Sequence, residues 1–259
     1  MTSITKNLAD TAYRAYETKL LKEIKKGKIP QHVGIIMDGN RRFARELEMD
    51  SILGHEEGRK KLEEVLEWCR EVGIKVVTVY AFSTENFLRS RDEVEHLMRL
   101  FVDSLKRAAD DERTHRYGMR IRVIGQLQLL PEEVREAIRY AEEKTRKNDR
   151  FILNVAIAYG GREEIVDAIR KIARDVVEGK LKIEDIDEDT VSSYLYTGDI
   201  PDPDLIFRTS GEERISNFLL WQSAYSEFYF ADVYWPTLRK IDFLRAIRSY
   251  QLRHRRFGR

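Results

Sequence analysis

The chain of 259 residues contains one cysteine, Cys69, which excludes an intrachain disulfide and leaves no cysteine pair to seat a metal. A reduced, cytoplasmic setting is the expectation that follows. Its five histidines are scattered, without the spacing of a zinc site. No apolar run approaches the ~18 residues that a membrane-spanning helix needs. The N-terminus lacks the apolar core of a signal peptide. A formal net charge of +1 gives no general excess of either sign, which excludes a protein devoted to coating nucleic acid. Neither the lysine loop of the nucleotide-hydrolysing enzymes nor a GxGxxG turn after a strand occurs.

What is present is a globular composition, 42% hydrophobic, with a charged fraction of 35% against a usual value of about 25%. Interleaved surface ion pairs, as in heat-adapted proteins, account for such an excess. Any anion site must come from local clusters of arginine. Apolar runs of strand length fall at His32–Met37, Lys75–Phe82, Arg120–Gly125, Phe151–Ala158, Asp204–Thr209 and Glu227–Phe230. Helical patterns near 56–72, 92–117, 131–147, 161–178 and 239–256 alternate with them. Runs such as GIIM and VVTVYAF lack polar alternation, as in a parallel sheet covered on both faces. The expected architecture is one α/β domain with a mostly parallel sheet of about six strands flanked by helices. Cys69, on the apolar face with Leu62, Val65 and Leu66, reads as a small buried thiol. An N-terminal segment, 1–30, precedes the body at 31–259. Within it 8–27 forms an amphipathic helix with Leu8, Ala12, Tyr16 and Leu20 on one face. That helix either packs on the body or, through its lysines, touches a membrane surface.

In open parallel sheets ligands bind beyond the carboxyl ends of the strands. Three loops there carry chemistry. The first is Met37-Asp38-Gly39-Asn40-Arg41-Arg42-Phe43. Gly39 admits close backbone approach, and Arg41 and Arg42 offer forked donors to phosphate. An acid among phosphate donors calls for a cation between them, and Mg²⁺ suits one carboxylate plus substrate phosphates. Read alone, Asp38 fits a helix cap as well as a metal ligand. The second loop, Ser83-Thr84-Glu85-Asn86-Phe87-Leu88-Arg89, fits either a polar binding turn or an ordinary capping turn. The third, Arg208-Thr209-Ser210-Gly211-Glu212-Glu213-Arg214-Ile215-Ser216-Asn217, is a second candidate anion cradle. Glu227, in the apolar run Tyr225-Ser226-Glu227-Phe228, is costly to bury unless paired or metal-bound. Asp110-Asp111 reads as a solvated helix face.

Together the stretches HVGIIMDGNRRFA, GHEEG, YAFSTENFLR, NVAIAYGGREEI and RTSGEERISNFLLWQSAYSEFYF, the last followed by DVYWP, resemble the cis-prenyltransferase family, the undecaprenyl and dehydrodolichyl diphosphate synthases. They recur in family order from about residue 31 to 257. The DGNRR form is that of archaeal and eukaryotic members, where bacterial members have glycine in place of Arg41. The resemblance implies Mg²⁺-dependent condensation of isopentenyl diphosphate with a farnesyl or geranylgeranyl diphosphate into a long polycis chain, the precursor of a glycosyl carrier lipid. It implies that Asp38 holds the metal and that Gly39, Asn40, Arg41, Arg42, Phe43 and His55 cradle the allylic diphosphate. Ser51 stands where many bacterial members have a further arginine. Ser83, Thr84, Glu85, Phe87 and Arg89 match the second block, with Asn86 at the position of a proposed proton acceptor. Arg208, Arg214, Ile215 and Ser216 would grip isopentenyl diphosphate. Glu227, and Glu213 where bacterial members often have histidine, would complete the metal site. Arg256-Phe257-Gly258 resembles a tail that reaches the active site across a homodimer interface. An apolar product tunnel is expected beside Ala81, Phe82, Phe87 and the helix at 92–105. A non-catalytic partner subunit, or a short-chain synthase, is the alternative within the same resemblance.

Overall fold

The computed structural model describes residues 3–253, with side chains from Tyr13 onward; Arg256-Phe257-Gly258 and the side chains of Leu8 and Ala12 lie outside that range. The six expected strands form one parallel sheet in the order β3-β4-β2-β1-β5-β6. They are β1 His32–Ile36, β2 Val76–Ser83, β3 Met119–Ile124, β4 Phe151–Tyr159, β5 Leu205–Arg208 and β6 Glu227–Phe230. Every residue of β1 and β5 is buried, which is why GII and LIF carry no polar alternation.

The helices are α1 Ser3–Ile24, α2 Asn40–Glu46, α3 Ser51–Val72, α4 Arg91–Asp110, α5 Glu112–Arg116, α6 Glu132–Thr145, α7 Gly161–Val177, α8 Glu188–Tyr194 and α9 Lys240–Leu252. Local chemistry sets their ends. Asp50 caps α3 by accepting from the Ile52 N–H, and Gly73 ends it in the left-handed region at φ 103°. The continuous helix expected over 92–117 divides instead. Asp111 is extended, and its carboxylate accepts the Arg113 N–H at 2.8 Å, starting α5. Aspartate competes with the helix for backbone donors and so favours caps over interiors. Asp110 is occupied with Tyr140 and Lys144. Asp110 is thus on an exposed face at the end of α4, as expected, while Asp111 caps the next helix.

Among the described residues three buried apolar clusters pack on the sheet, the smallest joining Ile36, Ala156, Tyr159, Ile206, Phe218 and Leu219. On one side α1, α3 and α9 bury Ile24, Val65, Cys69, Phe243 and Ile247 against β1, β2 and β5. The Cys69 thiol is fully buried, and burial pushes its pKa up. Helix α1 enters this core through Leu20 and Ile24, whereas Tyr16 is 47% exposed, so its buried stripe is displaced from the expected one. Elsewhere α4 and α6 cover β2, β3 and β4 with Leu97, Leu105, Val134 and Ile138. A buried polar line crosses the sheet interior: Asn154 donates to Thr78 Oγ1, which lies 2.7 Å from His32 Nε2, while His32 Nδ1 meets the Pro201 carbonyl at 2.6 Å.

Register decides where the chemistry gathers. Ile36 of β1 pairs with Tyr80 on one side and Arg208 on the other. The loops after β1, β2 and β5 therefore emerge side by side at one edge.

Candidate active site

The chain leaves β1 through Asp38 and turns at Gly39, whose φ of 102° is one that side chains resist. A Cβ there would stand 2.7 Å from the Tyr234 ring. The Asp38 backbone is clamped: its N–H donates to Thr209 Oγ1, and its carbonyl accepts from Thr209 Oγ1 and the Trp235 N–H. Its carboxylate is thereby aimed. Oδ1 accepts the Gly39 N–H at 2.7 Å. Oδ2 accepts from Arg208 Nη2 at 2.7 Å and lies 3.3 Å from Arg42 Nη2. Partial burial pushes the carboxyl upward, but Arg208, Ser210 and Arg42 together hold it below the ordinary aspartate range. Gly39, not Asp38, takes the N-cap position of α2, with no side-chain cap. That removes the capping alternative for Asp38.

Arg208 is 4% exposed at the end of β5. Its Nη1 donates to Ser216 Oγ at 2.8 Å and to the Arg214 carbonyl. One guanidinium thus joins the first loop to the third. Arg42 extends the same web, donating to Glu212 and to Ser210 Oγ. The third loop and the turn that follows it are strained: Ser210, Ser216 and Asn217, then Leu219, all have positive φ. Such strain costs of order 1–3 kcal/mol per residue and marks functional loops. Arg214 is exposed and paired with Glu212, Ile215 is half-buried, and Glu213 is exposed at the rim.

The second loop is a single turn of 3₁₀ helix, Thr84–Leu88, closed by a reciprocal cap. Asn86 Oδ1 accepts the Ser83 N–H at 3.0 Å, which fixes the amide's orientation. Glu85 is held below the usual glutamate range: slight burial opposes this, but its own N–H, Ser83, Thr84 and Asn217 outweigh it. Phe87 packs edge-on against Phe82 at 4.8 Å.

A residue that pattern reading missed ties the site together. Glu93, 6% exposed in the first turn of α4, meets His55 Nε2 at 3.1 Å, Arg89 Nη1 at 2.9 Å and Arg41 Nε at 3.6 Å. Its only sequence signal was an acid after the capping Ser90, indistinguishable from ordinary helix-end chemistry. Burial lowers the His55 pKa, and Arg89 reinforces this against the pull of Glu93. His55 is consequently neutral near pH 7. With its Nε2–H donated to Glu93, Nδ1 is left as an acceptor.

Two cavities share this region. A polar pocket of about 290 Å³ is lined by Asp38, Arg41, Arg42, Arg45, His55 and Arg89, with Met37, Gly39 and Asn40. An apolar cavity of about 210 Å³ runs between α3 and α4 over the sheet, lined by Leu62, Leu66, Ala81, Leu97, Phe101 and Val155 among others. Met37, Asn40 and His55 line both, so the two volumes meet there. The helix at 92–105 and Ala81 line this cavity, whereas Phe82 and Phe87 point into the core behind. The opposite wall comes from α3, whose apolar face was visible in the sequence without indicating a cavity.

Several expected site residues lie elsewhere. Glu227 begins β6 and pairs with Leu205, three residues before Arg208, so it sits at the opposite edge of the sheet from Asp38. It accepts from Arg253 Nη1 at 2.9 Å. Within one chain it cannot share a metal ion with Asp38. The sequence marked it as an acid needing a partner, and the partner is Arg253. Ser51 lies in the first turn of α3 beside Asp50, outside the polar pocket. Asn40 does line both cavities, with its amide Nδ2 donating to the Met37 carbonyl. Phe43 is half-buried on α2 and lines neither cavity. Among the described residues no group of three histidines, cysteines or acids converges on a metal position. A Mg²⁺ ion fits only as one held by Asp38 together with substrate oxygens, a donor set natural to that ion.

A family model described as "Putative undecaprenyl diphosphate synthase" matches residues 36–258. The chain belongs to the undecaprenyl diphosphate synthase family. It is accordingly a prenyltransferase. Among members of this family, a tritrans,polycis-undecaprenyl-diphosphate synthase (geranylgeranyl-diphosphate specific) of Thermococcus kodakarensis is 61% identical over 247 residues, 95% of this chain and 94% of the relative. The enzyme of the same name from Thermoplasma acidophilum is 55% identical over 257 residues, 99% of this chain and 100% of the relative. Among solved structures, lavandulyl diphosphate synthase from Lavandula x intermedia, in complex with dimethylallyl diphosphate, aligns with a TM-score of 0.84 at 38% identity, covering 89% of this chain and 99% of that one. A probable undecaprenyl diphosphate synthase from Campylobacter jejuni aligns with a TM-score of 0.73 at 35% identity, covering 90% and 100%.

Proposed function

We propose that this prenyltransferase extends geranylgeranyl diphosphate with isopentenyl diphosphate units, in a Mg²⁺-dependent reaction, into an undecaprenyl-length polycis chain that feeds a glycosyl carrier lipid. One observation carries the reading: a pocket rich in arginine around Asp38 opens directly onto an apolar cavity. A phosphatase or simple phosphate binder needs only the first of these. The geranylgeranyl primer is taken from the relatives' names.

In each cycle the allylic C–O bond breaks and the diphosphate leaves with the electron pair. The alkene of isopentenyl diphosphate supplies electrons for the new C–C bond, and a proton leaves the adjacent carbon. Arg41, Arg42 and Arg89, with the backbone N–H groups opening α2, stabilise the departing charge. Mg²⁺, held by Asp38 and diphosphate oxygens, would supply further charge neutralisation. Arg41 provides in this pocket a cation that Ser51 does not. Arg208, Arg214 and Ser216 fix the second diphosphate, turning a two-body encounter into a positioned one. Neutral His55, at the junction of the cavities, is placed to accept the proton, or to pass it to a phosphate oxygen, while Asn86 orients the substrate through its free Nδ2. The growing chain occupies the apolar cavity as a tunnel. In a homodimer the tail Arg256-Phe257-Gly258 would complete the partner's site.

Purified protein supplied with Mg²⁺, isopentenyl diphosphate and either farnesyl or geranylgeranyl diphosphate, with products resolved by length, tests this. Elongation from geranylgeranyl diphosphate is expected. No product alone, with activity appearing only when a second chain is added, would make this a non-catalytic partner subunit.

A further inference from the structure

The edge of the sheet opposite the site has a charge pattern of its own. An exposed basic residue precedes each of four adjacent strands: in spatial order Arg116 before β3, Arg150 before β4, Lys75 before β2 and Lys28 before β1. Backbone hydrogen bonds hold these segments side by side, from Arg150 N–H to the Gly118 carbonyl, Ile152 N–H to Lys75, and Lys75 N–H to Gln31. With strands about 4.8 Å apart, the row spans about 14 Å. Lys25 and Lys26, at the end of α1, extend it, and Gln251 of α9 fixes that end by donating to the Ile24 and Lys28 carbonyls. Lys25, Lys26, Lys28 and Lys75 pair with no carboxylate among the described residues. The exposed acids on this edge are Glu23, Glu112, Asp149 and Asp202, of which Glu112 lies 3.9 Å from Arg116 and Asp202 precedes β5, outside the row of four strands.

The deep end of the apolar cavity reaches the same edge. Arg70, Arg113, Thr114 and Tyr117 line it, with the Arg70 guanidinium 4.1 Å above the Tyr117 ring. Tyr117 adjoins Arg116, and Arg70 belongs to the last turn of the helix that leads to Lys75. An apolar volume thus ends under a polar lid, inside a basic rim.

We propose that this edge docks on an anionic membrane surface, so that the deep end of the cavity faces lipid. The proposal rests on the chain-elongating reading above, whose product is a long hydrocarbon chain that partitions into lipid. Basic side chains close to an anionic leaflet are attracted individually and within a Debye length, so a flat row of them engages together.

The full chain is incubated with sucrose-loaded vesicles of phosphatidylcholine, alone or mixed with phosphatidylglycerol, and sedimented. Binding is expected to the mixed vesicles only, weakening as salt is raised. The variant K25E/K26E/K28E/K75E should bind at least ~100-fold more weakly. K60E/R91E/R99E/R170E, with the same change in net charge placed on exposed positions in the first halves and middles of α3, α4 and α7, should bind as the parent does. Milder K28Q/K75Q, for use if the fourfold variant melts early, should bind about 10-fold more weakly. Absence of binding by the parent, equal binding to neutral vesicles, or equal loss in both charge-reversed variants overturns the docking surface. Turnover of geranylgeranyl diphosphate in detergent is measured in parallel. Vesicle binding without turnover would overturn the proposed reaction and leave the docking surface standing.

Discussion

Asp38 illustrates how one carboxylate is made available for chemistry. Its backbone is held at both ends by Thr209 and Trp235, and its oxygens face Arg208 and Arg42 rather than the helix it precedes. Replacing it with alanine should abolish condensation and lower the melting temperature, because the buried Arg208 guanidinium loses its carboxylate, while the chain still folds; substantial residual product would refute its assignment. Arg208 makes a stricter test, because its fork bonds Asp38 and Ser216 at once, and lysine cannot reproduce a planar fork. Arg208→Lys should retain the charge yet lose about 100-fold in kcat/KM. Parent-like activity would show that charge alone suffices. Much of this was readable in the residues: DGNRR and RTSGEERIS announced two anion cradles. What they did not announce was direction. A carboxylate's partners depend on side chains some 170 positions away, as in Asp38 with Arg208, and no local pattern encodes that.

His32 is a residue-scale case with a consequence for stability. Buried between Thr78 and the Pro201 carbonyl, its pKa falls from 6.5 to about 4, chiefly by desolvation, with Pro201 and Asp204 opposing. The unfolded chain therefore binds a proton more readily than the folded one between those values. Stability on this account is complete above pH 6.5 and is lost as pH falls toward 4, by roughly 3 kcal/mol in all. Thermal melts from pH 7 to 4 should show that loss in the parent and a shallower one in His32→Gln. Parallel curves would assign the acid sensitivity to other groups.

At the scale of elements, the site depends on α2 pressing against α3. Gly54 and Gly58 form the notch: a Cβ on Gly54 would stand 2.4 Å from the Asn40 carbonyl oxygen, and one on Gly58 2.3 Å from Asn40 Oδ1. The GHEEG stretch is thus a packing device that also brings His55 to the junction of the two cavities. Gly58→Ala should force α2 away, costing about 1–3 kcal/mol of stability. Because Arg41 and Arg42 ride on α2, it should also raise KM for the allylic diphosphate; an unchanged KM would mean that α2 tolerates displacement. The strands were legible to within a residue or two because burial on both faces leaves so strong a signature. Helix ends were less so. Asp111 looked like one more charge on a long helix, and only the extended backbone shows it capping the next. Glu227 shows a related limit: its need of a partner was foreseeable, but strand direction, not composition, put it at the far edge beside Arg253.

Over the whole molecule, the sheet separates two kinds of surface. Its carboxyl edge gathers Arg41, Arg42, Arg89 and Arg208 about Asp38, and the apolar cavity runs from there between α3 and α4 toward the amino edge. Length control in the proposed reaction then becomes a matter of filled volume. Ala81, half-buried at the end of β2, lines the cavity while its neighbour Phe82 is wholly in the core. A register shift at this point of β2 breaks the strand's alternation, so both side chains meet the α4–α6 cluster, Ala81 at the cavity and Phe82 behind it. Leucine at position 81 would put three more carbons into a cavity of about 210 Å³. The walls there are close-packed and yield little, so the hydrocarbon, being the mobile partner, must give way. Ala81→Leu should therefore shift the products of geranylgeranyl diphosphate extension to shorter chains while sparing the first condensation. The same Leu placed at Phe82 should lower stability by leaving a void, without shortening products in the same way. An unaltered length distribution in Ala81→Leu would mean that the growing chain takes another path out of the site.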